Sequence, residues 1–336
     1  MTARVLSARV LSATSAAIAR GAACLRAGEL VAFPTETVYG LGADAGNREA
    51  VQRIFEAKGR PADHPLIVHL PDASHVPRWA REIPDGARAL ADAFWPGPLT
   101  LILPRTEHAS DLVTGGQDSV GLRVPSHPAA RALLAAFGDG IAAPSANRYG
   151  RISPTTAAHV DGDLGDAVSL ILDGGACTVG IESTIVAFVD GEPVLLRPGG
   201  VPAADLARVL GRRLRSPDQA APRASGTLRS HYAPRTPATL LPPRTLRAEL
   251  AQLEDRDEDV AVLSRTVMRP ADFDDAWLQA PADAQAYAHD LYANLRALDA
   301  ANADVILIES VPDSDEWLAV RDRLTRATRG EDDDRD

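Results

Sequence analysis

Apolar positions recur at helical spacing early in the chain. Ala17, Ile18, Ala22 and Leu25 share one face of a helix expected over residues 15–27, and the pattern runs straight into an apolar stretch, Leu30 to Phe33. A helix feeding a strand is the predicted pair. Asn47 then stands at an N-cap position before a helix over 48–57, whose apolar face carries Val51, Ile54 and Phe55. Leu66 to Leu70, Leu99 to Leu103 and Ser119 to Val124 read as strands, and Pro128 to Phe137 as a helix. Ile141 to Ala143 is a short buried strand ending in Pro144-Ser145-Ala146-Asn147. Strands at Val168 to Leu172, Thr184 to Val189 and Val194 to Leu196, then a helix at Val201 to Leu210, complete this part. Most of these strands are apolar along their length instead of alternating, which predicts a sheet covered on both faces.

Periodicity lapses over 212–237, a stretch rich in Arg, Pro, Ser and Ala that reads as a linker. Beyond it the pattern alternates again. Ala238 to Leu241, Val260 to Leu263 and Val305 to Ile308 are strands, and helices are expected at Thr245 to Leu253, Asp283 to Leu298 and Glu316 to Ala327. This predicts a small Rossmann-like α/β domain with mainly parallel strands. The expected organisation is a larger α/β domain over 1–211 with its core at 15–211, a linker over 212–237, a small α/β domain over 238–328, and a disordered acidic tail over 329–336.

The N-terminal stretch needs a choice. Up to Gly28 it holds Arg4, Arg9, Arg20 and Arg26 and no acid, as transit peptides do, and Ala3 to Ser7 (ARVLS) repeats as Ala8 to Ser12. The helical spacing that continues into the first strand favours a leader feeding the first helix of the domain. Net charge is −11, so the chain is a poor candidate for tight direct binding of nucleic acid, which needs surplus cations. Aromatic residues are only 4%, leaving few stacking platforms for single strands. The two cysteines, Cys24 and Cys177, form no CxxC and fit a reducing cytoplasm without structural zinc. No apolar run reaches membrane-spanning length.

One feature of the composition points at chemistry. Of 35 basic residues, the single lysine is Lys58 and all others are arginine. A lysine is a compact, strongly hydrated point charge on a thin stem, suited to a narrow pocket where a planar guanidinium fits poorly. It sits in Lys58-Gly59-Arg60-Pro61, so two cations just past a helix end could clamp a polyphosphate. No GxxxxGK[ST] and no GxGxxG after a strand is present, so a nucleotide would be held by another device. Phe33-Pro34-Thr35-Glu36-Thr37-Val38-Tyr39-Gly40-Leu41-Gly42 follows a buried strand, where open α/β sheets bind ligands, and its glycines would allow close backbone approach. Pro144-Ser145-Ala146-Asn147 and Ser153-Pro154-Thr155 are further polar turns at strand ends. Arg123, inside an apolar strand, needs a carboxylate, either internal or a substrate's. No Ser/His/Asp order, reactive cysteine or HExxH is present, so the implied chemistry is positioning plus charge neutralisation, as in nucleotidyl transfer.

The motifs PTETVYGLG, KGRP with PLIVH, FWPGPLTLIL, GLRVPSHP, APSAN, GIESTIV and LLRPGG resemble the threonylcarbamoyl-adenylate synthase family, the YrdC-like domain in its long two-domain form. The resemblance runs almost continuously from Gly28 to Val201. It implies a YrdC-like twisted open mixed sheet with flanking helices, and a cytoplasmic nucleotidyltransferase. That enzyme would make threonylcarbamoyl-AMP from L-threonine, bicarbonate and ATP, for tRNA modification at the adenosine beside the anticodon. Thr35, His69, Arg123, Ala143 and Ser183 would then bind L-threonine. Lys58, Arg60, Ser119, Ser145, Asn147, Ser153, Arg197 and Tyr232 would surround ATP, with Lys58 and Arg60 catalytic. Mg2+ would be held mainly by phosphates and water, with no protein metal site, and the product would pass to a tRNA threonylcarbamoyl transferase complex. Ser225-Gly226-Thr227-Leu228-Arg229-Ser230-His231-Tyr232-Ala233-Pro234 keeps the HYAP element but lacks the lysines and aromatic of the usual preceding stretch. The linker is expected to lie across the site and close it, with Tyr232 as its anchor. Two competing readings are a YrdC-like module that binds RNA structure or the ribosome without synthesis, and a carbamoyl transferase of the hydrogenase-maturation type. The acidic balance speaks against the first, and the lack of zinc-finger cysteines against the second.

Overall fold

The computed structural model describes residues 7–228, 230–252 and 258–329. The first ARVLS copy up to Leu6 and the tail from Gly330 on lie outside the described residues. The chain divides into two compact units, residues 1–149 with 153–227, and residues 150–152 with 228–336. Most of the expected linker, through Thr227, therefore belongs to the first unit.

The first unit is built on strands β1 (Val10–Ser12), β2 (Val31–Phe33), β3 (Gly40–Asp44), β4 (Ile67–His69), β5 (Leu99–Pro104), β6 (Ser119–Arg123), β7 (Ile141–Ala142), β8 (Leu170–Asp173), β9 (Thr184–Val189) and β10 (Glu192–Arg197). They form one mixed sheet in the order β1-β8-β2-β3-β7-β4-β6-β5-β9-β10. Helices α1 (Ser15–Arg26), α2 (Arg48–Lys58), α3 (Val76–Trp79), α4 (Asp85–Phe94), α5 (Asp111–Thr114), α6 (Pro128–Phe137), α7 (Ala157–Leu164) and α8 (Ala203–Leu210) flank it.

Local signals explain the helix ends. Thr14 caps α1 by accepting from the Ala17 N–H, and Asn47 caps α2 by accepting from Glu49 and Ala50. Gly59, with φ of 64°, ends α2 in the left-handed conformation that glycine adopts without strain. Successive residues of β2 and β8 enter cores on opposite faces of the sheet. Val31, Phe33, Leu170 and Leu172 pack with α1 and α6, whereas Ala32 and Ile171 join the larger core with Val51, Ile54 and Leu90. This two-sided burial is why the strands read as continuous apolar runs.

The sequence between β2 and the next helix reads as a glycine-bearing turn, but Gly40–Asp44 is a strand antiparallel to β2. A Cβ on Gly42 would lie 2.8 Å from the Phe33 ring and 2.9 Å from Ile141. The glycine thus serves close packing inside the sheet.

The second unit holds β11 (Ala238–Leu241), α9 (Pro243–Leu250), β12 (Val260–Ser264), β13 (Trp277–Gln279), α10 (Ala284–Asp299), β14 (Val305–Glu309) and α11 (Leu318–Ala327). Its sheet, in the order β11-β14-β12-β13, is parallel throughout. Leu246 and Leu250 of α9 cover the face bearing Val260, Val262 and Leu307. Strand alternation turns buried Ala261, Ile306 and Ile308 to the other face, and α10 and α11 pack together. No helix among the described residues is long and apolar enough to cross a membrane.

Candidate active site

In an acidic protein, the first unit buries four cations, Lys58, Arg60, Arg123 and Arg197, against two carboxylates, Glu36 and Glu182, among the described residues. All six lie at or near strand and helix ends.

Arg123 ends β6, in register with His69 at the end of β4. Its internal partner is Glu36, with Nη2 2.6 Å from Oε1, and both side chains are almost fully buried. Nη1 donates to Thr37 Oγ1 at 3.0 Å and Nε to the Gly97 carbonyl at 3.3 Å. Thr35 Oγ1 donates to the Val38 carbonyl at 2.6 Å and lies 2.8 Å from Thr37 Oγ1. With the Thr35 proton so used, the Thr37 hydroxyl supplies the one between them. Guanidinium and hydroxyls are thereby ordered in one direction. Arg123 has five N–H donors and gives three to the described residues, which leaves one on each terminal nitrogen for a further acceptor.

Burial raises the Glu36 pKa, but the charge and hydrogen bond of Arg123, with the backbone N–H groups of Glu36 and Ser126, hold it below the usual carboxylate range. Burial, then the charge of Arg123, pushes His69 down to about 3, so its imidazole is neutral at physiological pH. Ala143 follows β7 and donates its N–H to the Ile67 carbonyl at 2.9 Å.

A second cluster surrounds Arg197. Its Nε and Nη2 donate to the Ser183 carbonyl at 3.1 and 2.9 Å, and Nη2 also reaches Ser183 Oγ at 3.1 Å. Ser183 Oγ lies 2.8 Å from Thr100 Oγ1. A Cβ on Gly199 would fall 2.3 Å from the Glu182 carbonyl oxygen, so only glycine lets the loop after β10 cross this point. Ser153, fully buried, donates to Glu182 Oε1 at 2.6 Å.

Lys58 closes α2 and is almost fully buried. Its ammonium donates to the carbonyls of Ser145 and Asn147 at 2.7 and 2.6 Å. Burial, then the neighbouring charge of Arg60, holds its pKa well below the ordinary lysine range, and Asp163 only partly opposes this. The Ser145–Asn147 turn is fixed on its other side by β3, through Leu41 N–H to Pro144 O and Ala146 N–H to Tyr39 O, both 2.8 Å.

The linker runs over this region. Ala224 joins an apolar cluster with Ile102, Ile185 and Val194 on the sheet. Gln117 holds the backbone of Arg223 twice, accepting its N–H at 2.7 Å and donating to its carbonyl at 3.1 Å. Arg197 Nη1 donates to the Ser225 carbonyl at 2.8 Å, and Arg60 Nη2 approaches Ser225 Oγ at 3.5 Å. Beneath Arg223, Ala224 and Ser225 lies a cleft lined by Ser119, Thr100 and Ile67.

Every predicted site residue but one lies in the first unit, in the separate clusters around Arg123, Arg197 and Lys58 or in the cleft under the linker. Tyr232 belongs to the second unit, where its ring centroid is 5.7 Å from that of Tyr292 and 5.1 Å from the Arg323 guanidinium. Glu36, Thr100, Gln117 and Ser225 were not singled out by sequence as site residues. Only Glu36 carried a visible signal, as the one acid in the polar run after β2.

A Sua5/YciO/YrdC family profile, described as "Telomere recombination", matches residues 23–199. A second, described as "Threonylcarbamoyl-AMP synthase, C-terminal domain", matches 201–328. The chain is 41% identical over 330 residues to the threonylcarbamoyl-AMP synthase of Bacillus subtilis, covering 95% of each. It is also 41% identical to that of Pyrococcus abyssi, over 90% of this chain and 92% of that one. The crystal structure of P. abyssi Sua5 complexed with L-threonine superposes with a TM-score of 0.88 at 38% identity, over 95% of this chain and 96% of that one. With both domains matched end to end, this chain belongs to the threonylcarbamoyl-AMP synthase family.

Proposed function

We propose that this chain condenses L-threonine, bicarbonate as carbon dioxide, and ATP into threonylcarbamoyl-AMP and pyrophosphate. The observation that carries the reading is buried Arg123 at the end of β6, beside His69, whose terminal nitrogens each keep an N–H beyond those given to Glu36 and Thr37 among the described residues. In this reading the carboxylate of threonine docks on the free end of Arg123, and Thr35, His69, Ser183 and the backbone at Ala143 surround the rest of the amino acid. Neutral His69 adds no charge beside the amine, so burial next to Arg123 favours the free amine over the ammonium. Bicarbonate gives up hydroxide to become carbon dioxide, the amine nitrogen bonds to its carbon as a C–O π pair moves onto oxygen, and the proton shed by nitrogen joins that hydroxide as water, leaving a carbamate. A carbamate oxygen then bonds to the α-phosphorus while the bond to the bridging oxygen breaks and pyrophosphate leaves.

ATP is held in this scheme by Lys58, Arg60, Ser119, Ser145, Asn147, Ser153 and Arg197, all of the first unit. Lys58 and Arg60 neutralise charge on the departing pyrophosphate. Mg2+ would be carried by phosphates and water. No three His, Cys, Asp or Glu side chains gather to hold a metal among the described residues, and no step here runs through one. The product is an unstable mixed anhydride, so a transferase that modifies tRNA adenosine is its natural recipient. A non-catalytic RNA-binding module is not favoured, because it gives no reason to bury these cations.

The direct test is pyrophosphate release by purified protein, with L-threonine and bicarbonate omitted in turn. Release requiring both is expected; release indifferent to threonine would overturn the reading. A finer test concerns the linker as a strap over the site. Gln117→Ala removes both bonds to Arg223, worth about 1–2 kcal/mol together. KM for ATP should rise roughly five- to thirtyfold by that energy, with faster proteolysis within 212–227. An unchanged KM would mean that the strap does not gate the nucleotide.

A further inference from the structure

The only lysine of the chain holds two backbone carbonyls with its ammonium, at 2.7 Å from Ser145 and 2.6 Å from Asn147. Its own carbonyl accepts the Tyr149 N–H at 2.9 Å. Side chain and backbone of one residue therefore clasp the turn from both ends. Among the described residues no carboxylate touches the ammonium; its charge faces carbonyl dipoles, Arg60 from the following loop, and Asp163 of α7, with which it makes no ion pair. A buried cation with no counter-ion is costly, so a simple structural fastening would be better made by a neutral group.

The geometry points to Lys58 as the positioning residue of the Ser145–Asn147 turn: two of its N–H groups fix the turn and the third is left for a nucleotide phosphate. This accounts for the lysine itself. Two carbonyls two residues apart converge on a single atom, and a tetrahedral ammonium still has a donor left over. A planar guanidinium spreads its donors over three nitrogens and cannot make that arrangement in the same space. Phosphate binding and turn geometry then become one event, because whatever pulls the ammonium pulls Ser145 and Asn147 with it. The phosphate part rests on the function proposed above; the turn part does not.

The single lysine also makes the test clean. Protein grown with lysine labelled with 15N at Nζ gives one side-chain signal. In nucleotide-free wild type it should be a hydrogen-bonded signal with protected protons. A signal at the position of free lysine, lost to solvent exchange, would overturn the proposal without touching the synthase reading. Hydrogen exchange in Lys58→Met and Lys58→Arg should quicken about tenfold or more at Ala146 and Tyr149 and stay unchanged in β5. Unchanged exchange at the turn would also overturn it. For function, Asn147→Ala should cost far less kcat/KM for ATP in the Lys58→Arg background than in wild type, because the turn is already misplaced. Strictly multiplicative losses would mean that Lys58 and the turn act separately.

Discussion

Arg123→Lys should lower kcat/KM for L-threonine by about two orders of magnitude and leave KM for ATP within about threefold. The fork is what is lost. Lysine keeps a charge for Glu36, but its donors radiate from one atom and cannot hold Glu36 and Thr37 while also setting N–H groups of two nitrogens on a second carboxylate, and charged hydrogen bonds are worth about 1.5–3 kcal/mol each. Arg123→Met does more. It strands Glu36, which is almost fully buried and has Arg123 as its ion-pair partner, and removing one member of such a pair costs about 3–5 kcal/mol of stability. The lysine variant should therefore melt close to wild type, and the methionine variant well below it. Thermal melts with threonine titrated at saturating ATP separate the two effects. An Arg123→Lys enzyme whose loss falls equally on threonine and ATP would refute the assignment of this arginine to the amino acid.

The double role of Arg123 also marks the limit of what its sequence context can say. A charge inside the apolar run Gly121 to Val124 announces a buried partner, and the partner is Glu36, 87 residues away. Nothing local links the two. Lys58 was conspicuous as the only lysine, but its partners are main-chain carbonyls, which every residue has and no sequence displays. Apolar strands and capped helices were legible where the pattern is strong, as in β2, α2, α6 and β9, because burial and capping are written in residue type. β3 was not, because Gly-Leu-Gly-Ala-Asp has low strand propensity and is held by close packing against Phe33 and Ile141. α4 was missed because two of its apolar positions, Ala87 and Ala91, are small, although with Leu90 and Phe94 they keep helical spacing. The linker lacked periodicity because it follows the sheet as a strap, held by Gln117 and Arg197, and has no face of its own to bury.

Glu309→Ala should destabilise the second unit by about 3–5 kcal/mol, a large part of the stability of a unit this size. Glu309 ends β14 and is fully buried. Its carboxylate accepts the N–H groups of Arg265, Thr266 and Val267 at 2.6, 2.7 and 2.9 Å, together with the Thr266 hydroxyl. The loop after β12 thus wraps a carboxylate much as a phosphate-binding loop wraps its anion. The location gives this meaning. β12 and β14 are neighbours whose chains leave in opposite directions, one to β13 and the other to α11 beside β11. Such a crevice is where open parallel sheets take ligands. Here a side chain of the protein fills it, so the second unit is built around an internal anion at this point. Burial raises the Glu309 pKa, but the Thr266 hydroxyl and the three N–H groups outweigh it and hold the group below the usual carboxylate range. Its contribution is therefore fully present above the unfolded pKa of about 4.3 and is lost as pH falls through the lower folded value. Glu309→Gln keeps one acceptor but turns an NH2 donor toward the loop, so it should lose about half as much stability and most of this acid dependence. Denaturant melts of wild type, Glu309→Gln and Glu309→Ala between about pH 3 and 7 measure this. Wild-type and Glu309→Gln curves that run parallel down to pH 3 would show that the carboxylate charge does not hold the loop.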